Sequence, residues 1–147
     1  MQRNLEQILN HILHSSEVLE EEMKHESGLG NLTSRQLHCI ELIKEMHNPS
    51  LTELAERMNI AKPSMSVMVE RLERNRLIHR VTSDKDRRIA HVHLTDDGEK
   101  AASLHNELHR RISGLLTEEM TDSEKEILIV LLNKSVRTLK KHRKLLY

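Results

Sequence analysis

Apolar residues recur at every third or fourth position in six stretches of this chain, with one β-rich interval between the fourth and fifth, so the pattern predicts six helices and a hairpin. Leu5, Ile8, Leu9, Ile12 and Leu13, then Val18, Leu19 and Met23, predict a helix from Leu5 to Glu26, ended by Ser27-Gly28 and a loop through Gly30-Asn31. Leu37, Ile40, Ile43 and Met46 mark a second helix that begins at Thr33 and stops at Asn48-Pro49. A third, short one runs from the N-cap Ser50 to Asn59, burying Leu51, Leu54, Ala55 and Met58. After the tight Asn59-Ile60-Ala61 connection, Lys62-Pro63-Ser64 opens a fourth, with proline where its missing N–H costs little. Met65, Met68 and Leu72 share the inward face of that helix, and Val69 sits at its edge. Leu77–Thr82 and Ile89–Leu94 read as strands joined by the polar SDKDRR segment. Thr95 is placed to cap a fifth helix that reaches about Leu116, striped by Ala101, Leu104, Leu108, Ile112 and Leu115. A sixth runs from about Asp122 to the chain end, and its Ile127, Leu128, Val130, Leu131, Leu132, Val136 and Leu139 spread too far round to face one partner.

Two short helices joined by so tight a turn form a helix-turn-helix, and the second presents an outer face of Lys62, Ser64, Ser66, Val67, Glu70 and Arg71. That is the chemistry of a helix whose N-terminal half reaches base edges in the DNA major groove. Ser64, Ser66 and Arg71 are the candidates for base or backbone contact, and Val67 for a thymine methyl. An ion pair within the helix is the competing role for Arg71. The hairpin tip projects Lys85, Arg87 and Arg88, suited to phosphates or a narrow minor groove, with Asp84 and Asp86 expected to brace the arginines by charge-assisted hydrogen bonds.

The DKDRR tip, followed after a strand by LTDDG, resembles the wing of the MarR family of bacterial transcription regulators and its exit into the next helix. Helix-turn-helix, charged wing and LT-x-x-G in this order are far more specific than a helix-turn-helix alone. The resemblance implies a mainly α fold with a small β-wing. Residues 32–97 would form the winged helix-turn-helix lobe of a single domain spanning 1–147, and 1–31 with 98–147 would form a helical dimerisation region built from both termini. Two-fold pairing through the first and last helices then presents two recognition helices about one DNA turn apart, fit for a pseudo-palindromic operator in double-stranded DNA.

Composition sharpens this picture. The chain has one Tyr and neither Phe nor Trp, so its core rests on aliphatic residues and Met, and a helical protein of that kind often completes its core by dimerising. Its 23 Lys and Arg balance its 23 Asp and Glu, yet from Arg57 to Arg88 the basic residues dominate while Glu17, Glu20, Glu21, Glu22 and Glu26 concentrate the acid elsewhere. Segregation of that sort suits one DNA-facing surface. The C-terminal Lys134, Arg137, Lys140, Lys141, Arg143 and Lys144 are read as a solvated basic end. No stretch approaches a membrane span and no signal-peptide pattern is present, which predicts a cytoplasmic protein; the lone Cys39 fits a reducing compartment.

Eleven histidines are an unusual supply for 147 residues, and imidazole is a common metal ligand. His105 and His109 lie four apart on one helix face, the spacing at which two imidazoles grip one cation. The stretch KHESGLGNLTSRQLH resembles the zinc-responsive branch of the MarR family, the repressors of zinc uptake. Carried over to this sequence, that resemblance implies a zinc bound by Glu26, His38, His105 and His109, with Glu22 or His25 as substitutes for Glu26 if the loop runs differently. It also implies that the metal-bound form grips the operator. The loop from Glu26 to Leu32 is shorter than in that branch and Leu37 stands where an acidic residue is expected, so the second metal site of the branch is not expected here.

Other function classes find less support. HNELH is not the HExxH of zinc proteases, because Glu107 falls on the opposite face from His105, so an enzyme is not expected. Response to a small phenolic ligand in a crevice beside the dimer helices, or to oxidation of Cys39, are the alternative modes of control; Cys39 sits among Leu37, Ile40 and Ile43, where a thiol is usually buried and inert.

Overall fold

The computed structural model describes residues 4–143, so the last four residues, Lys144 among them, and the side chain of residue 143 lie outside the description. Six helices and one hairpin follow each other as α1 (Leu5–Glu26), α2 (Ser34–Glu45), α3 (Leu51–Met58), α4 (Lys62–Arg74), β1 (Ile78–Thr82), β2 (Ala90–Leu94), α5 (Asp96–Leu116) and α6 (Asp122–Arg143). Among these no helix is long and apolar enough to cross a membrane. The chain divides between Arg110 and Arg111 into two compact units, the first holding everything from α1 to most of α5, the second the end of α5 and α6.

Local chemistry starts the helices where the sequence places them. Asn4, Thr33 and Ser50 each accept a hydrogen bond from the backbone N–H three residues on, while Gln7, Gln36 and Glu53 reach back to the cap N–H, three complete capping boxes. Asn59 ends α3 in the left-handed region (φ 52°, ψ 52°), which asparagine tolerates better than most residues, and this sharp reversal sets α4 against α3. Ala61 supplies no side-chain cap to α4; Pro63 in its first turn takes that role by lacking the orphan N–H.

One core joins α2, α3, α4, the sheet and the start of α5, through Leu37, Ile40, Ile43, Leu54, Met65, Val69, Leu72, Ile78, Val92 and Ala102. Val69 is fully buried and Met68 only half-buried, the reverse of their expected order, because α4 turns its Met65–Val69–Leu72 stripe squarely onto α3 and the strands. The strands pair antiparallel with Ile78 opposite Leu94 and His79 opposite His93, each one residue shorter than the sequence suggests. Val92 N–H donates to Pro49 O (2.9 Å) and His91 bridges Ser50, which ties the wing to the α2–α3 connection.

On α5 the buried stripe is Ala101, Ala102, His105 and Leu108, while Leu104 is exposed. A histidine thus stands on a face that periodicity assigned to aliphatics. Within the second unit, Ile127, Ile129, Val130, Leu131 and Leu132 of α6 are all exposed.

Candidate nucleic-acid interface and metal centre

The outward side of α4 carries Lys62, Ser64, Val67, Glu70 and Arg71 in solvent and Ser66 half-buried. Val67 is 48 % exposed, an apolar contact offered to solvent in the middle of a polar face. Arg71 has no ion pair among the described residues, so the intrahelical bridge weighed for it is not formed. Beside this face lies an open groove of about 340 Å3, lined by Ser64, Val67, Met68 and Arg71 of α4 and by Thr33, Arg35 and Gln36 at the start of α2.

The wing stands on α4 through Arg80, whose backbone N–H and guanidinium Nε both meet the Glu73 carboxylate at 3.2 Å. At its tip Lys85, Arg87 and Arg88 are exposed. The aspartates do not brace the arginine side chains as expected: Asp86 Oδ1 accepts the backbone N–H of Arg88 (2.9 Å), closing an Asx-type turn. One oxygen of this carboxylate is thus taken up by its own turn, and among the described residues neither Arg87 nor Arg88 forms an ion pair.

The second cluster gathers around His105, which is 2 % exposed. Its Nδ1 lies 2.9 Å from Glu41 Oε1 and its Nε2 3.7 Å from Glu20 Oε1, yet neither nitrogen makes a well-directed hydrogen bond. The His109 ring stands edge-on to it, centroids 4.3 Å apart. One ligand atom from each of Glu41, His105 and His109 falls within 4.8 Å of the others, the one such group among the described residues. His38, 57 % exposed, faces the same carboxylate with Nδ1 3.8 Å from Glu41 Oε2. Glu20 Oε1 also accepts the Ser34 hydroxyl (2.6 Å), at the first residue of α2.

Of the residues named from sequence, the structure therefore brings together His105 and His109 and leaves His38 at the rim. Glu26 is exposed at the end of α1 and is not in the group. Six residues separate it from Glu20, which at ~100° per residue puts it on another face of α1 and ~9 Å further along. Glu22 is exposed, and the His25 ring lies over Gly30, where an added Cβ would meet Nδ1 at 2.6 Å. The two carboxylates that sequence reasoning missed are Glu41 and Glu20. Glu41 had a signal: it follows His38 by three places and so shares its face. An imidazole pair with carboxylates is a donor set that zinc accepts, and His105 contributes a buried imidazole with no directed hydrogen-bond partner. Cys39 belongs to no such group: it is buried, and burial pushes its thiol up to about 12.

A helix-turn-helix whose second helix is polar and unpaired on its outer side, flanked by a basic β-wing, defines a winged-helix DNA-binding protein. A family profile described as "MarR family" matches residues 32–90. Over 105 residues the chain is 30 % identical to the HTH-type transcriptional repressor MdtR of Bacillus subtilis (strain 168), covering 69 % of this chain and 68 % of that protein. It is 29 % identical over 93 residues to the homoprotocatechuate degradative operon repressor of Escherichia coli, covering 60 % and 63 %. The crystal structure of Streptococcus pneumoniae FabT in complex with DNA shares the fold with a TM-score of 0.78 at 24 % identity, over 92 % of this chain and 97 % of that one. The chain belongs to the MarR family and is a DNA-binding transcription regulator, not an enzyme.

Proposed function

We propose that this regulator is a homodimeric repressor of a pseudo-palindromic operator, and that zinc held beside His105 and His109 raises its affinity for that DNA. Base contact falls to Ser64, Ser66, Val67 and Arg71, phosphate contact to Lys62, Lys85, Arg87 and Arg88. Leu5, Ile8, Leu9 and Ile12 of α1 and, separately, the apolar residues of α6 offer exposed surface to a second copy.

One observation supports the metal reading above all: Glu41, His105 and His109 converge around a buried imidazole. These three would hold the ion, with Glu20 and His38 beside them. Zinc, when bound, supplies a divalent charge that offsets the paired carboxylates. Glu20 also accepts the Ser34 hydroxyl, and Ser34 lies between Thr33 and Arg35 on the groove beside α4. The position of Glu20 thus bears on the DNA-facing start of α2. By linkage, operator binding tightens zinc binding by the same factor by which zinc tightens operator binding.

The test uses a duplex selected from random sequences, with binding measured by fluorescence anisotropy at fixed free zinc and after chelation. Wild type is expected to bind about 5- to 150-fold more tightly with zinc, the usual range of such coupling. His105→Ala/His109→Ala is expected to bind alike in both. Zinc dependence that survives in the variant overturns the metal reading and leaves DNA recognition standing. Absence of salt-sensitive binding in every condition overturns both.

A second reading, control by a small organic ligand, is supported by a cavity of about 400 Å3 with Leu29, Leu32, Leu77, Ala101 and Leu104 in its wall and Lys100 at hand. Control through Cys39 oxidation has no comparable support, since a buried thiol whose pKa is about 12 holds almost no thiolate.

A further inference from the structure

Three of the eleven histidines gather on the wing, in a place the DNA and zinc readings do not use. The strand register sets His79 directly opposite His93. His91, two residues before His93, projects to the same side, because side chains alternate along a strand. The other side of the sheet holds the buried Ile78 and Val92, so the outer face consists of His79, Val81, His91 and His93. Three imidazoles at four positions form the sequence His-x-His on one strand with a histidine on its antiparallel neighbour.

We propose that this face is a second metal site, in which His79, His91 and His93 bind one divalent transition-metal ion of the zinc, copper or nickel kind. The rings of His79 and His93 already stand 5.4 Å apart between centroids, tilted by 36°. Two imidazoles on one zinc at ~2.1 Å, at a tetrahedral angle, place their centroids about 5 Å apart. These two rings thus stand near the spacing that a shared ion sets, and side-chain rotation has to draw the third in, since the three ligand atoms are not gathered within 4.8 Å as those of Glu41, His105 and His109 are. His91 lies ~6.7 Å along the strand from His93, a span that two side chains leaning together can close. Its Nδ1 donates to the backbone carbonyl of Asn48 (3.1 Å), since a carbonyl can only accept. That bond leaves Nε2 with a free lone pair and orients the ring, the support that metal-binding histidines ordinarily have. Partial burial, and then its neighbours His79 and His91, shift His93 below the ordinary histidine range. Three imidazoles with a fourth position open is an established zinc ligand set.

The test separates this site from the helical cluster. The chelator-stripped full chain carrying His105→Ala/His109→Ala is titrated with zinc by calorimetry. It is expected to keep one ion per subunit. Adding His79→Gln/His93→Gln should weaken that ion at least about tenfold, the loss that follows even from removing a group behind a ligand. NMR of the unmutated protein provides a check free of any folding effect of substitution, with the imidazole signals of His79, His91 and His93 expected to shift together at one zinc equivalence point. If those signals do not move, or if the two variants bind zinc alike, the wing site does not exist.

Discussion

Changing Gly98 to alanine inserts one methyl group where the exit of the wing meets the first turn of α5. A Cβ built at Gly98 would lie 2.0 Å from Leu77 O, 3.1 Å from Leu77 C and 3.3 Å from Leu94 Cδ2. Leu77 O cannot simply withdraw, because it accepts the N–H of Thr95 (3.0 Å). Thr95 in turn caps α5 by accepting from Gly98 N–H (3.1 Å) and donates its hydroxyl to Arg76 O (2.6 Å). The clash is therefore with backbone held from both sides. Overpacking of this kind costs ~1–3 kcal/mol. A strained Thr95–Leu77 hydrogen bond adds ~1 kcal/mol, and better helix propensity returns ~1 kcal/mol. A net loss of ~1–3 kcal/mol lowers the melting temperature by roughly 3–10 °C in a chain of this size. Gly114 supplies the control, since nothing lies within 4 Å of its Cβ position on the same helix. Gly114→Ala should stabilise by ~0.5–1 kcal/mol and raise the melting temperature by ~2–3 °C. Thermal unfolding of the three proteins at one subunit concentration decides the matter, with concentration held constant because association shifts the transition. A Gly98→Ala protein that melts at or above wild type would refute the reasoning.

Glu53 accepts both the N–H and the hydroxyl of Ser50 (2.7 and 2.8 Å), and these bonds hold its carboxyl below the usual range. A folded-state value below the unfolded one gives stability that is present above the unfolded pKa of ~4.3 and is lost as pH falls through the folded value. Glu53→Gln should therefore be less stable than wild type near neutrality and converge with it in acid; urea-unfolding curves that stay parallel down to pH 3 would sink this account. Native Cys39 should react with a thiol reagent only as fast as the chain opens, and fully in denaturant. Rapid labelling of the folded protein would show the thiol is accessible after all. Arg71→Ala is expected to weaken operator binding by ~1–3 kcal/mol and to relax selectivity at one base pair if it contacts a base, whereas Arg88→Ala at the wing should weaken all duplexes alike and reduce the salt slope by ~1; identical titrations for either variant and wild type would remove that residue from the interface.

The helices, their caps and the hairpin were legible in the residues because the forces that set them act within a few positions. Ser50 meets Glu53, Thr33 meets Gln36 and Thr95 meets Gly98 at a separation of three, so each motif carries its own partner. The outer face of α4 follows equally from a 3.6-residue period and a tight preceding turn. The same locality misled at the wing tip, where Asp86 closes on backbone two residues away before it can reach a guanidinium. Partners contributed by separate helices are a different matter. Which carboxylate stands against His105 depends on the rotation and axial position of α1 and α2, and a slip of six residues along α1 separates Glu20 from Glu26. Periodicity shows that His105 and His109 share a face but assigns them no opposite number. Packing makes that choice: burying Ala101, Ala102 and Leu108 carries His105 inward with them, onto Glu41 and Glu20. Side-chain pairing across distant segments is set by how whole helices close on a shared core, and no neighbouring residue along the chain reports it.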